Sequence, residues 1–427
     1  MVIVLSCGND KFKPNQAKTV YIEEADGRFT LIRNGKPFEI RGACGSSYLP
    51  ELVKAGGNTI RTYDTVNLDA IMKEAESLNL AVVVGLYMPP SSNLDYFYSD
   101  TAQIAQNLAA LKKWVIKYRN SPSLLMWCVG NELFFPKSNK YKKFYKAFND
   151  VVEMIHKEDP HHPVTTTMVN FVPDNLLAIR YRTDVDIISF NMFHGQLKRL
   201  HSDLAKFSWL WDGPFMLTEW GTEGPWSERE KTAWSAPIEF NSTKKAAELL
   251  TTYNDCIPIN RDRMIGSFVF YWGYKQERTD TWFSFFSEKG EKSPMVSTMQ
   301  FIWTGKYPAF TPPATGDLSL NGKLPGESLL TPAGSVIQAK LETGNRHDTS
   351  YQYEWKIVKE DWFTRNKHEN NEKPMVPMQH LIHDQHDQVM VFHAPFKPGP
   401  YRVFVNIYDG KGNFSSSNMP FYVVEKN

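Results

Sequence analysis

The sequence predicts an α/β fold: a (β/α)8 TIM barrel followed by a small all-β, immunoglobulin-like sandwich domain. Two patterns carry this. From residue 38 to 272, eight short β-branched or apolar runs alternate with longer amphipathic stretches, the pattern of βα units around a parallel sheet. Beyond a Pro-rich connector, Tyr307-Pro-Ala-Phe-Thr-Pro-Pro-Ala-Thr-Gly316, the runs alternate with period two and turn residues separate them. A doubly wound sheet is the alternative for the first part.

Ahead of the barrel, Phe29–Phe38 reads as a hairpin turning at Asn34-Gly35, placed to cap the barrel floor. The eight strand runs are Phe38–Cys44, Thr59–Tyr63, Ala81–Leu86, Leu124–Val129, Val164–Met168, Ile187–Phe193, Phe215–Trp220 and Ser267–Trp272. Between the second and third, Leu68, Ile71, Met72, Ala75 and Leu78 recur at helical spacing, as do Ile104, Leu108, Leu111 and Val115 before the fourth. After the connector come Val336–Leu341, Tyr351–Val358, Gln388–Phe392, Tyr401–Tyr408 and Phe421–Val424, enough for a sandwich. The expected domains are an N-terminal leader segment (1–28), the barrel (29–307), a linker (308–317) and the sandwich (318–427).

Composition narrows the partners. With 48 Lys+Arg against 47 Asp+Glu, the chain has no charge excess to hold a nucleic-acid backbone. No apolar run reaches the roughly 20 residues of a membrane span. The 12 Trp, 19 Tyr and 27 Phe serve either the core or a groove in which sugar rings pack on flat apolar faces. Met1-Val-Ile-Val-Leu-Ser-Cys7-Gly ends like a bacterial lipoprotein signal, without its basic start. It predicts export to the cell surface or periplasm with a lipid on Cys7, a frayed terminus being the alternative. Cys44 and Cys128 read as buried apolar residues and Cys256 precedes Ile257-Pro258; neither a disulfide framework nor a metal site is expected.

Working residues of such a barrel sit at the C-terminal ends of its strands. Glu132 follows the fourth run in Trp-Cys-Val-Gly-Asn-Glu132, and Glu219 ends the seventh in Met-Leu-Thr-Glu219-Trp-Gly. Strands four and seven face each other across the mouth. Glycoside hydrolysis needs such a pair, one carboxyl protonated to donate to the leaving oxygen and the other ionised to attack. Arg61, closing the second run, is placed to hold a carboxylate ionised, or to form a structural salt bridge. Asn131 is a candidate for a sugar hydroxyl or a strand end, and Trp272 for a sugar floor or core closure. Tyr87, Trp226, Trp234 and Trp282 are candidate platforms in loops, each with plain packing as its alternative.

The Gly-Asn-Glu132, Thr-Glu219-Trp-Gly, Gly-Asn-Thr-Ile-Arg61 and Trp272-Gly segments resemble the clan A retaining glycoside hydrolases, particularly the family 2 catalytic barrel, over residues 29–305. That resemblance implies Glu132 as acid/base and Glu219 as nucleophile, with Arg61, Asn131 and Trp272 in support and no cofactor. A barrel followed by one immunoglobulin-like domain is more similar to glycoside hydrolase family 158, and with Tyr271–Trp282 this implies a monomeric endo-β-1,3-glucanase. The alternatives are an exo-acting family 2 type β-galactosidase or β-mannosidase, a transglycosylase, and a non-catalytic surface glycan-binding protein. One departure stands out. Many clan A barrels carry a Tyr after strand six that bonds the nucleophile, and Phe193 stands there, leaving His194, or Arg61 with Tyr271, to orient Glu219.

Overall fold

A computed structural model describes residues 12, 14–15, 17–227, 230–342, 350–360 and 374–426; Cys7, the expected lipidation site, lies outside them. The chain packs as two compact units, Met1–Gly221 with Tyr253–Phe270, and Thr222–Thr252 with Tyr271–Asn427. Among the described residues no helix is long and apolar enough to cross a membrane.

The first unit opens with a three-stranded antiparallel sheet of β1 (Val20–Ala25), β2 (Arg28–Arg33) and β3 (Lys36–Pro37). The β2–β3 turn falls on Asn34 and Gly35, with φ of 52° and 72°, the left-handed pair a two-residue hairpin needs. Strand β1 lies in a stretch read as leader. The Val20 and Phe29 amides donate to the carbonyls of His161 and Asp262, residues just ahead of two barrel strands, so the sheet does sit at the barrel floor.

Eight parallel strands close the barrel: β4 (Ile40–Cys44), β5 (Thr59–Arg61), β6 (Ala81–Leu86), β7 (Leu124–Val129), β8 (Val164–Val169), β9 (Ile187–Asn191), β10 (Phe215–Gly221) and β11 (Met264–Phe270). Strands β6 and β7 are buried along their whole length, which is why both read as unbroken apolar runs. Of the helices, α1 (Leu49–Lys54) is short, and α2 (Leu68–Ser77) buries Leu68, Met72 and Ala75 of its expected stripe. Asp100 caps α3 (Thr101–Tyr118) by accepting from the Ala102 and Gln103 amides. The series continues with α4 (Lys142–Glu158), α5 (Pro173–Arg182), α6 (His194–Lys206) and α7 (Ser242–Cys256).

The eighth strand is displaced from its expected position, starting at Met264 and ending at Phe270, so Trp272 lies beyond it. The cause is Gly266, which reads as a breaker in the sequence but pairs with Ile40. A Cβ on Gly266 would come within 2.5 Å of the Ile40 side chain, so the two strands meet there only without one. Cys44, Cys128 and Cys256 are buried free thiols.

Among its described residues the second unit holds α8 (Pro294–Thr304) and eight strands: β12 (Leu318–Leu320), β13 (Leu330–Pro332), β14 (Val336–Leu341), β15 (Gln352–Lys359), β16 (Ile382–His386), β17 (Val389–His393), β18 (Gly399–Tyr408) and β19 (Phe414–Val424). They form two four-stranded sheets, β12-β14-β17-β16 and β13-β19-β18-β15, around one core that includes Ile337, Trp355, Phe392, Tyr401, Val403 and Phe421. Strand β19 starts at Phe414, before the expected Phe421, through a Ser-rich stretch that resembles a turn. Pro420 is tolerated because β13 pairs only with Tyr422–Val424, leaving β19 an edge there.

The outward face of the second sheet is polar yet buried. Arg402 of β18 bonds Glu360, donates to Asn418 Oδ1 at 2.5 Å and donates to the Pro237 carbonyl at 2.8 Å. Ser242 Oγ lies 3.1 Å from Ser416 Oγ. These bonds tie the sheet to the segment that follows β10.

Candidate active site

Seven polar side chains meet where β5, β7, β9 and β10 end. Arg61, the last residue of β5, is fully buried and donates to Glu219 Oε1 at 3.0 Å and to Asn131 Oδ1 at 2.5 Å. Tyr63 donates its hydroxyl to the same Glu219 oxygen at 2.9 Å. Asn191, ending β9, donates to Glu132 Oε1 at 2.9 Å and to Asn131 Oδ1 at 3.3 Å. Thr218 donates to Asn191 Oδ1 at 3.0 Å, which sets the amide so that its NH2 faces Glu132. One continuous network therefore joins the two carboxylates.

The carboxylates differ in setting. Glu219 is 6% exposed, whereas Glu132 is exposed and has φ of 55°, so the chain leaves the line of β7 before reaching it. Burial pushes the Glu219 carboxyl up to about 7, against the pull of Arg61; Glu132 adds to the rise and the Tyr63 bond opposes it. Burial thus raises the carboxyl expected to be ionised, while the expected proton donor faces water. Burial also drives the Tyr63 hydroxyl well above its usual range, with Cys44 and Glu219 adding to this, so it stays a donor.

Tyr63 supplies the hydroxyl missing after strand six. Its signal was the spacing from Arg61: residues two apart along an extended chain point to one side, so Arg61-Thr-Tyr63 sends both side chains into the mouth. Gly85 of β6 makes room, since a Cβ there would approach the Thr62 carbonyl oxygen to 2.4 Å and the Tyr63 backbone to 2.5 Å. Because the Tyr63 bond favours the ionised form of Glu219, Tyr63→Phe should move the acidic limb of the pH–kcat/KM profile to higher pH. It should also lower neutral-pH kcat/KM by roughly tenfold to a hundredfold, as for a lost bond to a charged group. A limb left in place would remove Tyr63 from the control of Glu219.

Of the other expected residues, Tyr87 follows β6 in the first unit and is exposed, whereas the side chain of His194 lies outside the described residues. Tyr271, Trp272, Trp226, Trp234 and Trp282 belong to the second unit. Trp272 is fully buried among Phe285, Phe286 and Trp303; Trp282 is buried and donates to the Glu223 carbonyl at 3.0 Å. Trp226 is exposed, its ring centroid 5.5 Å from that of Phe283. Lys275 Nζ lies 5.6 Å from the ring centroid of Tyr271, and the Trp234 centroid lies 5.6 Å from that of Tyr422. Among the described residues no cluster of three or more His, Cys, Asp or Glu is arranged to hold a metal ion.

Residues 65–274 match the model of the glycosyl hydrolases family 2 TIM barrel domain. Over those residues the barrel is similar to the family 2 glycosyl hydrolase barrel. A β-glucuronidase of Streptococcus agalactiae is 26% identical to the chain over 259 residues, covering 50% of this chain and 42% of the relative. Among solved structures, Bacteroides uniformis β-glucuronidase 2 superposes with a TM-score of 0.52 at 14% identity, covering 95% of this chain and 48% of that one. A β-galacturonidase of Eisenbergiella tayi gives 0.52 at 15% identity, over 68% and 55% of the two chains. The chain spans about half the length of the relatives it matches. The matches are to family 2, and the resemblance to family 158 gains no support from them.

Proposed function

We propose that the protein is a retaining, exo-acting family 2 type β-glycosidase. The observation that carries this reading is the single network holding Glu132 and Glu219 at the barrel mouth, with two donors on one oxygen of Glu219. An Arg and a phenol aimed at one carboxylate oxygen favour the ionised form, as a nucleophile requires. In the first step Glu219 attacks the anomeric carbon, the bond to the leaving oxygen breaks and Glu132 gives that oxygen a proton. Glu132 then takes a proton from water, which attacks the same carbon, releases the sugar and restores Glu219.

The matched β-glucuronidases and β-galacturonidase favour exo action over the endo-β-1,3-glucanase expectation, and they put β-linked uronides first among substrates to try. Aryl β-glucuronide, β-galacturonide, β-galactoside, β-mannoside and β-glucoside, beside β-1,3-glucan, form the test panel. Hydrolysis of an aryl monoglycoside, with the β-anomer released first by NMR, is the expected result. Oligosaccharides appearing from β-1,3-glucan without any aryl glycoside hydrolysis would overturn exo action, and the α-anomer appearing first would overturn retention. A cyclitol aziridine of the matching configuration should label Glu219; labelling of Glu132 would exchange the two roles.

A further inference from the structure

We propose that the protein selects β-glycosides with a flat, apolar leaving group, held on a shelf of Tyr87, Phe134 and Val169 beside Glu132. This rests on Glu132 as the proton donor. The oxygen that Glu132 protonates carries the leaving group, so that group lies on the Glu132 side of the breaking bond. In the barrel, β7, which leads into Glu132, stands between β6 and β8.

Strand geometry sends one apolar side chain to this side from each of the three. The missing Cβ of Gly85 on β6 points at the Tyr63 backbone in the mouth, and Tyr87, two residues on, points the same way. The Gly130 amide donates to the Leu86 carbonyl at 2.8 Å, so Tyr87 leaves β6 beside the turn that carries Glu132. Along that turn exposure alternates, Glu132 and Phe134 being open and Leu133 and Phe135 buried. On β8, Thr167 Oγ1 lies 3.2 Å from Thr218 Oγ1 inside the barrel, which directs Val169 into the mouth as well. Tyr87, Phe134 and Val169 are 57%, 56% and 43% exposed, an apolar surface left open beside a charged network.

The shelf is held from beneath. Tyr98 donates to the Pro89 carbonyl at 2.5 Å and Tyr145 to the Pro136 carbonyl at 3.0 Å, in each case two residues past a shelf aromatic. Phe144 joins the two clamps, its ring centroid 5.3 Å from that of Tyr98 and 5.2 Å from that of Tyr145. All three rings are buried, so Tyr87 and Phe134 are displayed on fixed loops and lose little freedom when a ring packs on them. The same loops decide between an aromatic group and a second sugar. Tyr87-Met-Pro-Pro90 and Leu133-Phe-Phe-Pro136 carry between them one polar side-chain group, the Tyr87 phenol, and Lys137 just beyond is paired with Asp174 at 2.5 Å. Sugar hydroxyls set against these segments lose water without gaining partners, whereas an aromatic ring gives up only apolar hydration.

The test is calorimetric titration of the full chain carrying Glu219→Gln with 2-naphthyl and methyl β-glycosides of glucuronic acid, galactose and glucose, and with β-linked disaccharides of the same sugars. For at least one sugar the naphthyl glycoside should bind about tenfold or more tighter than the methyl glycoside, and tighter than the disaccharide. Phe134→Ala and Tyr87→Ala should each cut that preference by about threefold or more while leaving the methyl glycoside's affinity unchanged. Both side chains are more than half exposed, so the melting temperature should hold in each variant. Tyr181→Ala, which removes an exposed ring on α5, should leave the preference intact. Equal binding of naphthyl and methyl glycosides, a disaccharide bound as tightly as the naphthyl glycoside, no binding of any naphthyl glycoside, or a preference unchanged in either shelf variant would each overturn the proposal. So would an equal loss in Tyr181→Ala. The titration reads binding without turnover, so failure here is separable from failure of the proposed hydrolysis, which the parent chain's action on aryl glycosides reports.

Discussion

Glu219→Ala is expected to lower kcat/KM on the best β-glycoside by at least about 10³-fold, since it removes the group proposed to form the covalent bond. Loss of so much transition-state stabilisation follows from deleting a bond made only during reaction, not from weaker substrate binding. The same cavity admits a small anion. Added azide should therefore restore part of the turnover of a substrate with an activated leaving group and yield an α-glycosyl azide, because it attacks from the face that Glu219 occupied. Glu132→Gln should lose turnover most with poor leaving groups, which depend on a proton, and least with aryl leaving groups that depart unaided. Near wild-type activity of Glu219→Ala, near wild-type activity of Glu132→Gln on a poor leaving group, or a β-configured azide product from Glu219→Ala would refute the assignment of roles.

Arg402→Met should cost on the order of 3–5 kcal/mol, through a cause unrelated to the chemistry. Arg402 is fully buried and its guanidinium serves Glu360, Asn418 Oδ1 and the Pro237 carbonyl at once. Truncation takes the cation away from Glu360 inside the protein and leaves the other two acceptors without this donor. Calorimetry should show the loss as a fall in melting temperature on the order of 10 °C. Replacing Glu360 as well should recover much of it, since an apolar pair of similar volume avoids the buried charge. A fall worth less than about 1 kcal/mol would show that the pair adds little.

Much of the fold was legible because burial on both faces writes a strand as a continuous apolar run. Ala81–Leu86 and Leu124–Val129 were bounded to the residue for that reason. Strands that depend on close backbone approach were not. Met264–Phe270 hides behind Gly266, and the start of β19 hides in Ser415-Ser-Ser-Asn-Met-Pro420, whose burial comes from a polar sheet face covered by other segments. At the site, strand-end position picked out Glu132, Glu219, Arg61 and Asn131, which the fold brings together. Asn191 and Tyr63 were harder. Both lie inside the expected runs Ile187–Phe193 and Thr59–Tyr63, but Asn191 ends its strand before the expected Phe193 and Tyr63 lies beyond the end of β5, so neither marked a strand end in the sequence. Nothing in a linear reading shows which of two carboxyls the fold buries, because that depends on the turn at Glu132.

That burial ties folding and turnover to acidity in opposite ways. A carboxyl whose proton affinity rises from the ordinary value near 4.3 to about 7 on folding adds stability that is complete in acid below the lower value. The contribution fades as the solution is made more alkaline through neutrality, the very range in which the proposed nucleophile acquires its charge. The chain is thus asked to tolerate a charge its interior resists. The Glu219→Gln variant, whose amide stays neutral at every pH, should melt at the temperature of the parent near about pH 4 but above it near about pH 8.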